Sequence, residues 1–186
     1  MTMSILGITA YIWLRFGNFK YGAATVVACA HDALFVLAAI GFSHYLGQIG
    51  FFENVLLIKP FRIDLTLVAA ILTVIGYSMN DTVVVFDRVR ENRGKFGVLS
   101  RTVINDSINQ TFSRTILTGG TSLGILFVMY VIGGEGIHAF TFAMMLGIIV
   151  GTYSSIAVAS PLLLYGNTGA EQARLAKTPK SQPVAG

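Results

Sequence analysis

The stretch ILTVIGYSMNDTVVVFDRVREN, residues 71–92, decides the fold. Up to Phe86 it is apolar apart from Thr73, Tyr77, Ser78, Asn80, Asp81 and Thr82; from Asp87 onward it turns abruptly charged. Followed back to Ile63, the apolar run covers residues 63–86. A bilayer core of about 30 Å needs roughly 20 helical residues, so this run is long enough to span it. The charged residues that follow mark the place where the helix leaves the lipid.

Composition agrees with that reading over the whole chain. Of 186 residues, 54% are hydrophobic and only 12% charged, and the mean hydropathy is +0.69. Soluble domains carry about 25% charged residues, so both a soluble globule and a disordered chain are excluded. The net charge of +4 is therefore read as a topology signal, and no nucleic-acid partner is expected. The single cysteine, Cys29, cannot form an intrachain disulfide. His31, His44 and His138 lie too far apart in sequence to suggest a metal site, and no metal is expected.

Five apolar segments, 3–16, 21–46, 63–86, 115–132 and 137–165, are expected to span the membrane. The first is short; the expectation is that the chain starts inside a longer helix. No signal peptide is expected, because the first basic residue, Arg15, follows the apolar run instead of preceding it. Eleven of the thirteen basic residues then fall on one side, against Lys59 and Arg62 on the other. The positive-inside rule makes the richer side cytoplasmic, with the amino terminus outside and the carboxyl terminus inside. Residues 87–113 form the long polar connection. Ile104, Ile108 and Phe112 recur there every four residues, which suggests an amphipathic helix lying on the inner surface. Residues 166–186 form a polar tail expected to be disordered.

Charged groups at membrane depth cost about 2.5–3.5 kcal/mol to insert and therefore face protein or water. Asp81 and Arg114 lie near the inner ends of the third and fourth spans, and the adjacent His31 and Asp32 lie near the middle of the second. Thr73, Tyr77 and Asn80 share a helical face that Asp81 continues. An opposite charge favours an ionised carboxylate and desolvation favours the neutral one. A carboxylate at Asp81 that meets and leaves Arg114 could therefore load and unload a proton. A static pair, or snorkelling to the headgroups, is the plainer alternative. For His31 and Asp32 the expectation is a hydrogen-bonded pair locking helices, with a second proton relay as the alternative. Gly120 and Gly124, and Gly147 and Gly151, form two G-x-x-x-G pairs expected to serve close helix packing, and Pro161 is expected to kink or end the last span.

Several runs together resemble a known family. Residues 76–92 (Gly-Tyr-Ser-Met-Asn-Asp and onward to Asn92) are similar to the signature of SecF, the smaller subunit of the SecDF protein-export complex. The segments at 11–16, His31-Asp32, 107–115 and 151–161 agree with it in order. The resemblance implies an RND-like membrane fold of six helices with an outer domain between the first two; this chain resembles the last five. It further implies an inner-membrane subunit that uses the proton-motive force to complete protein export. The implied partners are SecD, the SecYEG channel, SecA, YidC and YajC, and the translocating polypeptide, in a setting of membrane lipid. The family's proton-path carboxylate and arginine fall on Asp81 and Arg114.

The sequence therefore predicts an all-α integral membrane protein, most of one RND-like half-bundle, with no covalent catalysis and no cofactor besides protons. No Gly-x-x-x-x-Gly-Lys loop for nucleotide occurs. An RND-type small-molecule exporter subunit and a purely structural membrane subunit are the rival readings.

Overall fold

The computed structural model describes residues 19–46, 64–96 and 99–165, together with Gly7, Ala10, Tyr11, Ile12, Leu14 and Gly17. The expected first span lies mostly outside these residues, as do the connection at 47–62 and the tail at 166–186. Gly7, Ala10, Tyr11, Ile12 and Leu14 are helical, and Ile12 is buried.

Four long helices follow: α1 (Phe19–Leu46), α2 (Leu65–Phe96), α3 (Arg101–Ile132) and α4 (Glu135–Ser154). A π-helical turn (Ser155–Ala159) and the short α5 (Ser160–Tyr165) continue α4. Within them Lys20–Ser43, Leu65–Gly94, Arg101–Ile132 and Glu135–Leu164 are long and apolar enough to cross a membrane. α2 and α4 form the central pair, with α1 packed on one flank and α3 on the other.

Local chemistry sets the helix ends. Asp64 caps α2 by accepting from the Leu67 amide at 2.8 Å. Ser100, in extended backbone, caps α3 by accepting from the Val103 amide at 3.3 Å. Gly134, at φ 76° and ψ 176°, makes the reversal between α3 and α4, a conformation that only glycine adopts readily. Pro161 cannot donate to the preceding turn, and its ring crowds the carbonyl four residues back. The chain accommodates it with the π turn that precedes it, and α5 carries on.

Two differences from expectation stand out. The polar connection expected at 87–113 is mostly helix, because α2 runs on to Phe96 and α3 already begins at Arg101. The stretch in which Ile104, Ile108 and Phe112 recur is thus the first part of α3, continuous with the span. Its buried residues Val103 and Ile104 pack with Val85, Phe86 and Val89 of α2 and with Tyr21 and Ala24 of α1. Side chains brace this hairpin: Asn92 donates to Ser107 Oγ at 2.8 Å and to Gln110 Oε1 at 3.1 Å, and Arg88 Nε donates to Gln110 Oε1 at 2.6 Å.

The glycine pairs also differ from one another. Gly147 and Gly151 lie against α2, where an added Cβ at Gly151 would sit 2.9 Å from the Ser78 Cβ and one at Gly147 would collide with Val74. At Gly120 and Gly124 an added Cβ would meet nothing within 4 Å, so these two lie on the open face of α3. That face also carries Ile116, Leu117, Ile125, Val128 and Ile132.

The core has two apolar clusters. One gathers Tyr21, Ala28, Phe86, Val89, Ile104 and Leu163; the other gathers Val36, Ile40, Ile71, Val74, Leu126 and Ile148. The buried polar side chains of Asp32, Ser78, Thr115, Ser154 and Ser155, together with Asp81, form the candidate site.

Candidate functional site: two carboxylates in a hydroxyl layer

Membrane-depth polar groups must find partners inside the protein, because lipid offers none. Many hydroxyls here do so locally: Thr25, Thr82 and Thr141 donate to carbonyls four residues earlier, on Tyr21, Ser78 and Ile137, at 2.9–3.0 Å. A second group of hydroxyls turns to the two carboxylates instead.

Asp32, on α1, is fully buried. Its Oδ2 accepts hydrogen bonds from Ser78 of α2 and from Ser154 of α4, the latter at 2.8 Å. Its Oδ1 lies 3.0 Å from Nδ1 of the preceding His31. One side chain therefore ties three helices together. The hydrogen-bonded lock expected of His31 and Asp32 takes this form, though the tie runs through the carboxylate while His31 supports it from the same helix.

Asp81, on α2, is half-buried. Its Oδ1 accepts from Thr115 of α3 at 2.8 Å, and its Oδ2 accepts from Ser155, the first residue of the π turn, at 2.9 Å. Arg114 does not supply the counter-charge the sequence suggests. It is exposed and makes no ion pair with Asp81. Successive helical residues point about 100° apart, so when Thr115 faces inward Arg114 is turned out of the contact. The remaining members of the predicted stripe diverge. Tyr77 is half-buried, with its hydroxyl about 4.0 Å from where a Cβ on Gly119 would lie. Asn80 and Thr73 are exposed, and Thr73 donates to its own helix at Ala69 O, 2.8 Å away.

The carboxylates were legible in the sequence; their four donors were not singled out as site residues. Ser78, Thr115, Ser154 and Ser155 read as motif or packing residues. Their signal was a common depth: each lies in its span at the level where the opposing helix carries an acid. Hydrogen bonds to charged groups are worth about 1.5–3 kcal/mol, so the layer contributes to helix packing.

Four membrane-length helices around an ionisable, hydroxyl-lined core define a polytopic helical membrane protein. A family model described as "Protein export membrane protein SecD/SecF, C-terminal" matches residues 1–168, and the chain belongs to that family. Among similar proteins is a protein translocase subunit SecF from Desulfurispirillum indicum, 47% identical over 171 residues, covering 87% of this chain and 48% of the relative. Another, from Vibrio alginolyticus, is 44% identical over 163 residues, covering 87% and 46%. The crystal structure of SecDF in its super-membrane-facing form superposes with a TM-score of 0.75 at 33% identity, over 94% of this chain and 22% of that one. The chain thus spans about half the length of these curated relatives.

Proposed function

We propose that this chain is the SecF-type membrane part of a protein-export complex, in which Asp81 takes up and releases a proton and so couples the proton-motive force to export. The observation that carries this reading is the setting of Asp81, a carboxylate inside a helix bundle held by the neutral hydroxyls of Thr115 and Ser155. A carboxylate with hydroxyl partners and no paired cation can gain a proton without breaking an ion pair. Arg114, one residue from Thr115, stands on the open side of α3, where a SecD-type half would supply the facing wall and bring a cation into range. The driving energy is adequate, since one charge crossing the membrane yields about 2.3 kcal/mol per 100 mV.

In this reading the protein resides in the inner membrane, with its basic side cytoplasmic and its amino terminus outside. It acts alongside SecYEG, SecA and YidC/YajC on a translocating polypeptide, with protons as its only coupling species and no covalent step. Asp81→Asn keeps the shape and a hydrogen-bond acceptor but cannot carry the charge. Reconstituted with its partners in vesicles, the variant should assemble normally and lose the gradient-dependent part of export. Undiminished export by Asp81→Asn would overturn the proposal. A structural role has its own support, since Asp81 joins α2 to α3 and to the π turn; loss of the assembled complex in Asp81→Asn would favour it.

A further inference from the structure

Asp32 and Ser154 have no task in the proposal above. Ser154 and Ser155 are neighbours in the chain, yet they serve different acids on different helices. Ser154 donates to Asp32 of α1 at 2.8 Å and Ser155 to Asp81 of α2 at 2.9 Å. A hydroxyl has one proton to give, and each serine has a second acceptor in reach on its own helix. These are the Gly151 carbonyl at 3.2 Å for Ser154 and the Thr152 carbonyl at 2.9 Å for Ser155. Each serine therefore has two arrangements. Beside an ionised acid it donates to the carboxylate. Beside a neutral acid it can accept the acid's proton as a hydrogen bond and turn its own hydrogen to the carbonyl.

The chain leaves this pair as the π turn Ser155–Ala159, where Ser160 Oγ donates to the Ser155 carbonyl across five residues at 2.8 Å. The wider ladder of such turns is uncommon and concentrates at functional sites. We infer that Ser154 and Ser155 are positioning residues that couple the two carboxylates, so that a proton gained at Asp81 is felt, through the peptide unit the serines share, in the hydrogen bonding of Asp32. This rests on the reading of Asp81 as the proton-binding group. Because Ser78 of α2 donates to the same Asp32 oxygen as Ser154, the response reaches α1, α2 and α4 together. Among the described residues, the titratable and charged groups around this layer are Cys29, His31 and Asp32 on α1, Tyr77 and Asp81 on α2, and Arg114 on α3. α4 and the π turn bring it the two serine hydroxyls.

Infrared difference spectra test this on the whole chain with its SecD-type partner in liposomes, stepped between neutral and acidic pH. Asp32→Asn and Asp81→Asn assign the carboxyl bands. The native protein should show an Asp81 band that titrates and an Asp32 band that shifts with it. The Asp32 response should vanish in Asp81→Asn, in Ser155→Ala and in Ser154→Ala, and return in Ser155→Thr, which keeps the hydroxyl. Ser154 does not touch Asp81, so a retained Asp81 band beside a lost Asp32 response separates coupling from misfolding. An Asp32 response that survives both alanine variants, or is missing in native protein whose Asp81 band titrates, overturns the inference. A native protein with no titrating Asp81 band refutes the proton reading itself, and the coupling with it.

Discussion

Replacing Gly147 with alanine measures how closely α2 and α4 approach. The new methyl would lie 2.9 Å from the Cβ of Val74 and closer still to its two methyl groups. Carbon atoms rest about 3.5–4.0 Å apart, so the tightest contact, 2.1 Å to one Val74 methyl, would force the helices to part by roughly 1.4–1.9 Å. Rotating the Val74 side chain gives no relief, because its Cβ is fixed to the backbone and valine holds one dominant rotamer in a helix. Overpacking of this kind costs about 1–3 kcal/mol. Alanine also gains up to about 1 kcal/mol of helix propensity over glycine, which blurs the single measurement. Gly120→Ala removes that ambiguity, since its methyl meets nothing within 4 Å and only the propensity gain remains. The packing term is the difference between the two variants. Denaturant unfolding of the protein in mild detergent, followed by circular dichroism, should place Gly147→Ala about 1–3 kcal/mol below Gly120→Ala. Equal stabilities would refute the close contact. Adding Val74→Ala removes two of the three colliding carbons and should restore part of the loss.

Other perturbations follow from single contacts. Gly134→Ala forces a Cβ into backbone with φ 76° and ψ 176° and should cost about 1–3 kcal/mol, read as a lower thermal midpoint. Asn92→Leu removes a buried donor shared by Ser107 and Gln110. Hydrogen exchange should then accelerate within residues 87–113, while protection in the rest of α3 and in α4 is unchanged. Asp32→Ala removes the acceptor of the Ser78 hydroxyl and leaves Ser154 only the Gly151 carbonyl at 3.2 Å, and should cost about 1–3 kcal/mol for the Ser78 hydroxyl that loses this partner. Arg114→Met, at an exposed site, should leave detergent stability within about 0.5 kcal/mol.

The spans were legible because lipid imposes a length and an apolar composition that few other sequences have. Asp32 and Asp81 stood out for the converse reason, as charges where charge is costly. Their partners were harder, because periodicity gives the face of a helix and not the neighbour it meets. Arg114 and Thr115 differ by one position, and that single step decides which of them touches Asp81. The two glycine pairs have identical spacing, yet only Gly147 and Gly151 have a helix against them. The stretch from Asp87 to Ser113 reads as a connection from its charge. Arginine, glutamate and glutamine are also good helix formers, and with Val89, Val103 and Ile104 to bury the two helices simply continue.

That continuation has a mechanical result. α2 runs ten residues past Phe86 before it ends at Phe96, a rod of about 15 Å at 1.5 Å per residue. Asn92, Ser107 and Gln110 rivet it to the start of α3. A stub of this kind is a lever whose short arm lies at the level of Asp81. Tilting the helix pair by about 10° there would swing the tip, about 22 Å away at Phe96, by roughly 4 Å, carrying a change at one carboxylate to displacement well beyond it.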